Sequence, residues 1–189
     1  MEITWEAIQA AVAQCENCPL HAGRTHAVMG EGDPEAKLLF VGEGPGRQED
    51  LQGRPFVGPA GQLLDRMLGA IGLIREKVYI ANIVKCRPPG NRVPTPQEAQ
   101  ACLPFLRAQV HLLHPRIIVA LGATAARYTI DEKIRITRDR GNWIQRKNVW
   151  MMATYHPAAL LRDVSKKREA WEDLQKIQAK LEEITREDE

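Results

Sequence analysis

Apolar residues are laid out along this chain in two rhythms: short unbroken runs, and longer stretches with one apolar side. The runs are Lys37–Gly42, Lys77–Val84, Arg116–Leu121 and Asn148–Thr154. Continuous apolar segments of that length predict strands buried on both faces. Between them the spacing turns helical. Trp5, Ile8 and Val12 predict a helix within 2–14, and Leu63, Leu64, Met67, Leu68 and Ile71 predict one between Gly58 and Gly72. Ala99, Cys102, Leu103, Leu106, Val110 and Leu113 mark a third, and Trp171, Leu174, Ile177, Leu181 and Ile184 a last one. The third has the clearest start: Thr95 caps it, Pro96 takes the first helical position and Glu98 can close a capping box. Pro104 within it predicts a kink.

Strands alternating with helices predict an α/β protein, a three-layer α/β/α sandwich around a central, mainly parallel four-stranded sheet. No internal repeat or low-complexity linker interrupts the pattern, so residues 1–189 read as a single domain. Ligands of such folds gather beyond the carboxyl ends of the strands. The glycine-rich Gly42–Gly46, Asn82 and His156 fall on that edge.

Composition adds class. A chain 44% hydrophobic and 26% charged is ordinary for a globular protein. No apolar run reaches the roughly eighteen residues of a membrane helix, and the N-terminus lacks a basic start followed by an apolar stretch. A cytoplasmic protein without membrane contact is expected. The net charge of +2 says little, but its distribution says more. Eight Lys or Arg face three acids over 116–148, and eight acids face three bases over 169–189. This predicts a basic face for a polyanion and an acidic tail turned away, or simply solvated charge.

In a reducing compartment cysteines are more often metal ligands or catalysts than disulfides. Cys15 and Cys18 form a C-x2-C pair, Cys86 follows after 67 residues, and Cys102 closes a C-x15-C spacing. Four thiolates suit a tetrahedral zinc or an iron–sulfur cluster, and spacing leaves the two open. Either centre would pin the segment carrying Arg87, Asn91 and Arg92, a loop suited to nucleic-acid phosphates.

Gly42-Glu-Gly-Pro-Gly46 is not a nucleotide-phosphate loop, since it has no lysine and Glu43 would repel phosphate. Its glycines fit close approach to a small planar ligand. Glu43, Glu49 and Asp50 could position a water or merely begin a helix, and His156 could donate to a developing anion.

Together these segments resemble the family 4 (thermostable, iron–sulfur) uracil-DNA glycosylases. The resemblance runs from Cys15 to Arg162. It is carried by Cys15-x-x-Cys18, Gly42–Gly46 with Glu49-Asp50, Gly53-Arg-Pro-Phe-Val-Gly58, Asn82–Pro89 with Asn91-Arg92, Cys102, and His156-Pro-Ala-Ala-Leu-Leu-Arg162. It implies a uracil-DNA glycosylase-like fold, a [4Fe–4S] cluster on the four cysteines, and uracil-containing DNA, single- or double-stranded, as partner of a monomeric enzyme. Relatives often carry further acids where this chain has Arg47-Gln48. A related class that attaches covalently to DNA through an inserted loop ending in histidine is not matched between Cys86 and Cys102.

The resemblance also implies roles. Uracil must leave the helix or be met in a single strand. Phe56 would stack on the ring, and the Asn82 amide would read its pairing edge as both donor and acceptor. Glu43, Gly44 and Pro45 would wall the pocket, and His156 would hydrogen-bond the oxygen where charge develops. Glu49 with Asn91 would hold the attacking water. Leu160 or Leu161 would fill the gap left by the base, with Arg87, Arg92 and Arg162 on phosphates. Two readings compete: an iron–sulfur electron carrier or sensor, which would not need Asn82, Phe56 and His156 around one pocket, and a zinc-stabilised nucleic-acid-binding module, which iron analysis and visible absorbance separate.

Overall fold

The computed structural model describes residues 2–189. In chain order its elements are α1 (Trp5–Ala13), β1 (Glu31–Gly32), β2 (Leu38–Gly42), α2 (Arg47–Gln52), α3 (Pro59–Ala70), β3 (Tyr79–Asn82) and α4 (Pro96–Leu113). They continue with β4 (Ile117–Leu121), α5 (Ala123–Thr129), α6 (Ile136–Asp139), β5 (Ile144–Arg146), β6 (Val149–Thr154), α7 (Pro157–Arg162) and α8 (Lys167–Glu187).

The strands form one sheet in the order β1-β3-β2-β4-β6-β5. The inner four, β3-β2-β4-β6, are parallel and correspond to the four predicted runs. The expectation of four strands in all is corrected, because β1 and β5 add an antiparallel strand at each edge. Each is too short, at two and three residues, to carry a periodicity a sequence reading can detect. The second inner strand is also shorter than its apolar run. Arg75–Lys77 form a tight turn before it, and Ile83 and Val84 lie past its end, their N–H groups still donating to Gly42 and Glu43 carbonyls.

Alternate residues of each inner strand enter different cores. Leu39, Val41, Ala81, Ile118, Ala120 and Ala153 pack with Leu103 and Leu106 of α4 and Ala125 of α5. Leu38, Phe40, Ile80, Ile117, Val119 and Met152 pack with Leu64 and Leu68 of α3, Leu160 of α7, and Leu174 and Ile177 of α8. This gives three layers. In α4 the capping box forms, Thr95 Oγ1 accepting from Glu98 N at 3.2 Å and Glu98 Oε2 from Thr95 N at 2.9 Å. The helix runs on through Pro104, which lies on its exposed side, where water can serve the carbonyl that proline leaves unbonded.

The acidic C-terminal stretch does not turn away from the basic segment. Arg140 bridges Glu169 at 3.0 Å and the fully buried Asp173 at 2.8 Å, and Arg116 and Lys37 both pair with Asp188. The expected basic face is therefore neutralised in part by α8 itself.

No helix among the described residues is long and apolar enough to cross a membrane.

Candidate active site

The carboxyl ends of the parallel strands lie side by side, Gly42 opposite Asn82 and Leu121 opposite Thr154. β2 lies between the strand that follows it in sequence, β3, and β4, so connections leave it in both directions and a crevice opens where ligands of α/β sheets bind. A cleft of about 590 Å³ occupies this edge. Glu43, Gly44, Pro45, Glu49, Asn91, Arg92, His156 and Arg162 line it, as do Thr124, Tyr155 and Lys166. The last three escaped the sequence reading because none belongs to a local pattern; the fold alone brings them in.

Behind the cleft lie two residues that do not line it. Phe56 is buried, with a left-handed backbone (φ 53°), and its ring stacks on His156 at 5.5 Å with the planes inclined by 29°. Asn82 is 2% exposed, and its Oδ1 has no hydrogen-bond partner among the described residues. Gly42 separates them: a Cβ there would lie 2.5 Å from both Asn82 Oδ1 and the tip of the Phe56 ring. An unpaired buried carbonyl costs about 1–3 kcal/mol, so this acceptor is poised for a donor.

His156 caps α7. Its Nδ1 accepts from Ala158 N at 3.0 Å, so the neutral ring carries its proton on Nε2. Burial, and secondarily the charge of Arg162, push its pKa down to about 4, which keeps the ring neutral at ordinary pH.

The carboxylates have separate fates. Glu49 Oε1 accepts from Gly46 N at 3.0 Å, and its Oε2 from Val57 N at 3.2 Å and Gly58 N at 2.7 Å. It laces the glycine loop to the Phe56 segment and has little capacity left for water. Asp50 is buried and takes the N–H groups of Thr25 and His26, away from the cleft, which removes it as a water-positioning acid. Glu43 Oε2 accepts from Thr124 Oγ1 at 2.6 Å.

Other expectations change. Leu160, 1% exposed, belongs to the core and cannot wedge into DNA, whereas Leu161 is 43% exposed. Arg92 grips Glu98 through both terminal nitrogens, at 2.9 and 2.8 Å, and so braces the start of α4 as well as lining the cleft. Arg87 Nε donates to Asn91 Oδ1 at 2.7 Å, which ties together two residues expected at the site. Arg162 and Lys166 make no ion pair among the described residues; Lys166 Nζ sits 5.3 Å from the centre of the Tyr155 ring.

The four cysteines are free thiols around one cavity, with Val12, Leu20 and Phe105 as apolar walls. Among the described residues no three His, Cys, Asp or Glu side chains stand close enough to hold one metal ion. All four thiols border the same cavity, as a shared four-thiolate centre requires. A guanidinium and a backbone amide face them. Arg24 Nη1 lies 3.5 Å from Cys86 Sγ and donates to Cys15 O, and Lys85 N donates to Cys102 Sγ at 3.2 Å. Burial pushes the Cys102 thiol up to about 11. The buried Lys85 ammonium donates to Asn82 O at 3.0 Å and Gln109 Oε1 at 2.7 Å, so one residue touches both the cysteine cavity and the strand end.

A cleft at the switch point of a parallel sheet is where α/β enzymes bind their ligands, and sequence comparison says which enzymes these are. The sequence profile of the uracil DNA glycosylase superfamily matches residues 29–175, and the chain belongs to that superfamily. Within it the chain is 49% identical to the type-4 uracil-DNA glycosylase of Thermotoga maritima, over 92% of this chain and 93% of the relative. It is 45% identical to the type-4 enzyme of Archaeoglobus fulgidus, over 88% and 87%, and 34% identical to the type-5 enzyme of Thermus thermophilus, over 64% and 69%.

Proposed function

We infer that this chain is a uracil-DNA glycosylase, which hydrolyses the N-glycosidic bond of uracil in DNA and leaves an abasic site. The observation that carries the reading is the unpartnered Oδ1 of Asn82, buried beside Phe56 under a glycine that leaves no room for a Cβ. In this reading a flipped uracil lies against Phe56 and gives its ring N–H to that oxygen. Cytosine has no such N–H and is rejected.

Bond cleavage puts negative charge on the uracil and positive charge on the sugar. Neutral His156 donates from Nε2 to the oxygen that gains charge, a role for which its tautomer suits it. The water expected on Glu49 is better served by Glu43, whose Oε1 has no partner among the described residues, while Glu49 holds the loop. Arg87, Arg162 and Lys166 meet phosphates, and Leu161 fills the space the base vacates.

Cys15, Cys18, Cys86 and Cys102 would hold a [4Fe–4S] cluster, with Arg24 and Lys85 offsetting its negative charge. When bound, it supplies structural cross-linking of α1, the end of β3 and α4. The enzyme is proposed to act as a monomeric, cytoplasmic single domain.

Incubation with a uracil-containing oligonucleotide, then alkali, tests the activity: strand scission at the uracil position is expected. An electron carrier or zinc-stabilised binding module would leave the strand whole.

A further inference from the structure

We propose that Arg75 is a positioning residue of this site, holding the Phe56 backbone and thereby fixing the aromatic wall against which the target base rests. The inference rests on the glycosylase reading above and extends it to a residue outside the cleft.

Phe56 has a φ of 53°, a conformation that bulky L residues rarely adopt. Something other than local preference must hold it. Arg75 Nη1 donates to Phe56 O at 2.8 Å, and Nη2 donates to the preceding carbonyl, Pro55 O. The same guanidinium is anchored by Glu31 at 2.7 Å and Asp65 at 3.1 Å, and Glu31 is itself gripped by Arg54 at 2.8 and 2.9 Å. From the other side α3 presses on the same carbonyl, where a Cβ on Gly61 would lie 1.8 Å from Phe56 O. The Phe56 peptide is thus clamped between a charged fork and a glycine.

The position of Arg75 gives the clamp its use. It lies in the turn leading into β3, the strand that ends at Asn82. One short segment therefore sets both the ring that stacks on the base and the amide that reads it. Arg75 itself is only 14% exposed and does not line the cleft, so it acts through Phe56 and not on DNA. A planar fork holds two donors in fixed positions for two successive carbonyls, whereas a lysine ammonium is a point charge on a flexible stem.

The test is a double-mutant cycle on single-turnover uracil release from a single-stranded oligonucleotide, using the parent, R75K, R75Q, F56A and F56A/R75Q proteins. Thermal midpoints and affinity for a uracil-free strand are measured alongside. R75Q and R75K are expected to slow release about ten- to a hundredfold, the usual scale for a misplaced reacting partner. Affinity for the uracil-free strand should stay within about twofold. In the F56A background R75Q should cost less than about twofold more, because the group it positions is gone. Equal losses in both backgrounds, or undiminished release by R75Q, would overturn the proposal. Should R75Q not fold, R75K carries the test, since it keeps a charge against Glu31 and Asp65; a lysine variant that also fails to fold would mark Arg75 as a folding residue and defeat the assignment. A parent protein that releases no uracil would defeat the glycosylase reading itself, a result distinct from additive losses in an active enzyme.

Discussion

The ring of His156 stacks on that of Phe56 at 5.5 Å, and the same imidazole accepts the Ala158 N–H at 3.0 Å. Stacking and cap together fix both the plane and the tautomer of one side chain. His156→Ala is expected to slow uracil release by at least about a hundredfold, the cost of losing one charge-stabilising donor. The pH dependence follows from a ring pushed down to about 4 from its ordinary 6.5. Between those values the unfolded chain binds the proton and the folded one does not, so stability due to this group is complete above about 6.5 and is lost as pH falls toward 4. Excision should likewise hold steady through 6.5 and break near 4. A break at 6.5 in the pH profile of single-turnover rates would contradict a buried neutral histidine.

Asn82→Asp exchanges an amide for an acceptor-only carboxylate. Release of uracil should fall sharply, because one uracil carbonyl then faces negative charge, while cytosine should gain relative to it. Excision from matched uracil and cytosine oligonucleotides measures this. Equal cutting of uracil by variant and parent would remove Asn82 from base reading.

Gly42→Ala would place a methyl group 2.5 Å from both Asn82 Oδ1 and the Phe56 ring. Excision should drop by at least about a hundredfold while affinity for uracil-free DNA stays close to the parent value, since phosphate contacts lie elsewhere. Gel-shift and single-turnover measurements on one preparation separate the two.

Cys102→Ala should bleach anaerobically purified protein and lower its stability by more than the roughly 0.5–3 kcal/mol of an ordinary core change. The excess reflects the loss of a tie between elements. Iron content, visible absorbance and thermal midpoint provide the check; an iron-free parent protein would remove the cluster from the account.

Leu160→Ala and Leu161→Ala are neighbours with opposite expected outcomes. The first empties a core position and should cost about 2–5 kcal/mol of stability. The second should leave the thermal midpoint unchanged and slow excision from duplex more than from single-stranded DNA, because the gap it fills exists only in a duplex.

The four inner strands and the major helices were legible because their residues are apolar at spacings fixed by burial on two faces. β1 and β5 were not, since two or three residues ending in Gly32 and Arg146 hold no rhythm. At the site, Asn82 and His156 could be placed by their position at strand ends. The separation of Leu160 from Leu161 could not, because it depends on the rotation of a six-residue helix. Arg75, Thr124 and Lys166 stayed hidden for a similar reason. Arg75 and Thr124 meet their partners across 19 and 81 residues, and an isolated polar residue in a turn or short helix, Lys166 included, carries no local signal.

The two edge strands have a further consequence. An open parallel sheet ends in rows of unpaired backbone donors and acceptors, onto which another extended chain can add. Here each border is finished by an antiparallel segment of three residues or fewer. Gly30 and Gly32 bend the first with φ of 119° and 137°, and a Cβ on Gly32 would collide with Val78 O. Borders this short offer few backbone groups to template strand addition, so the sheet resists fibril-like growth at its margins.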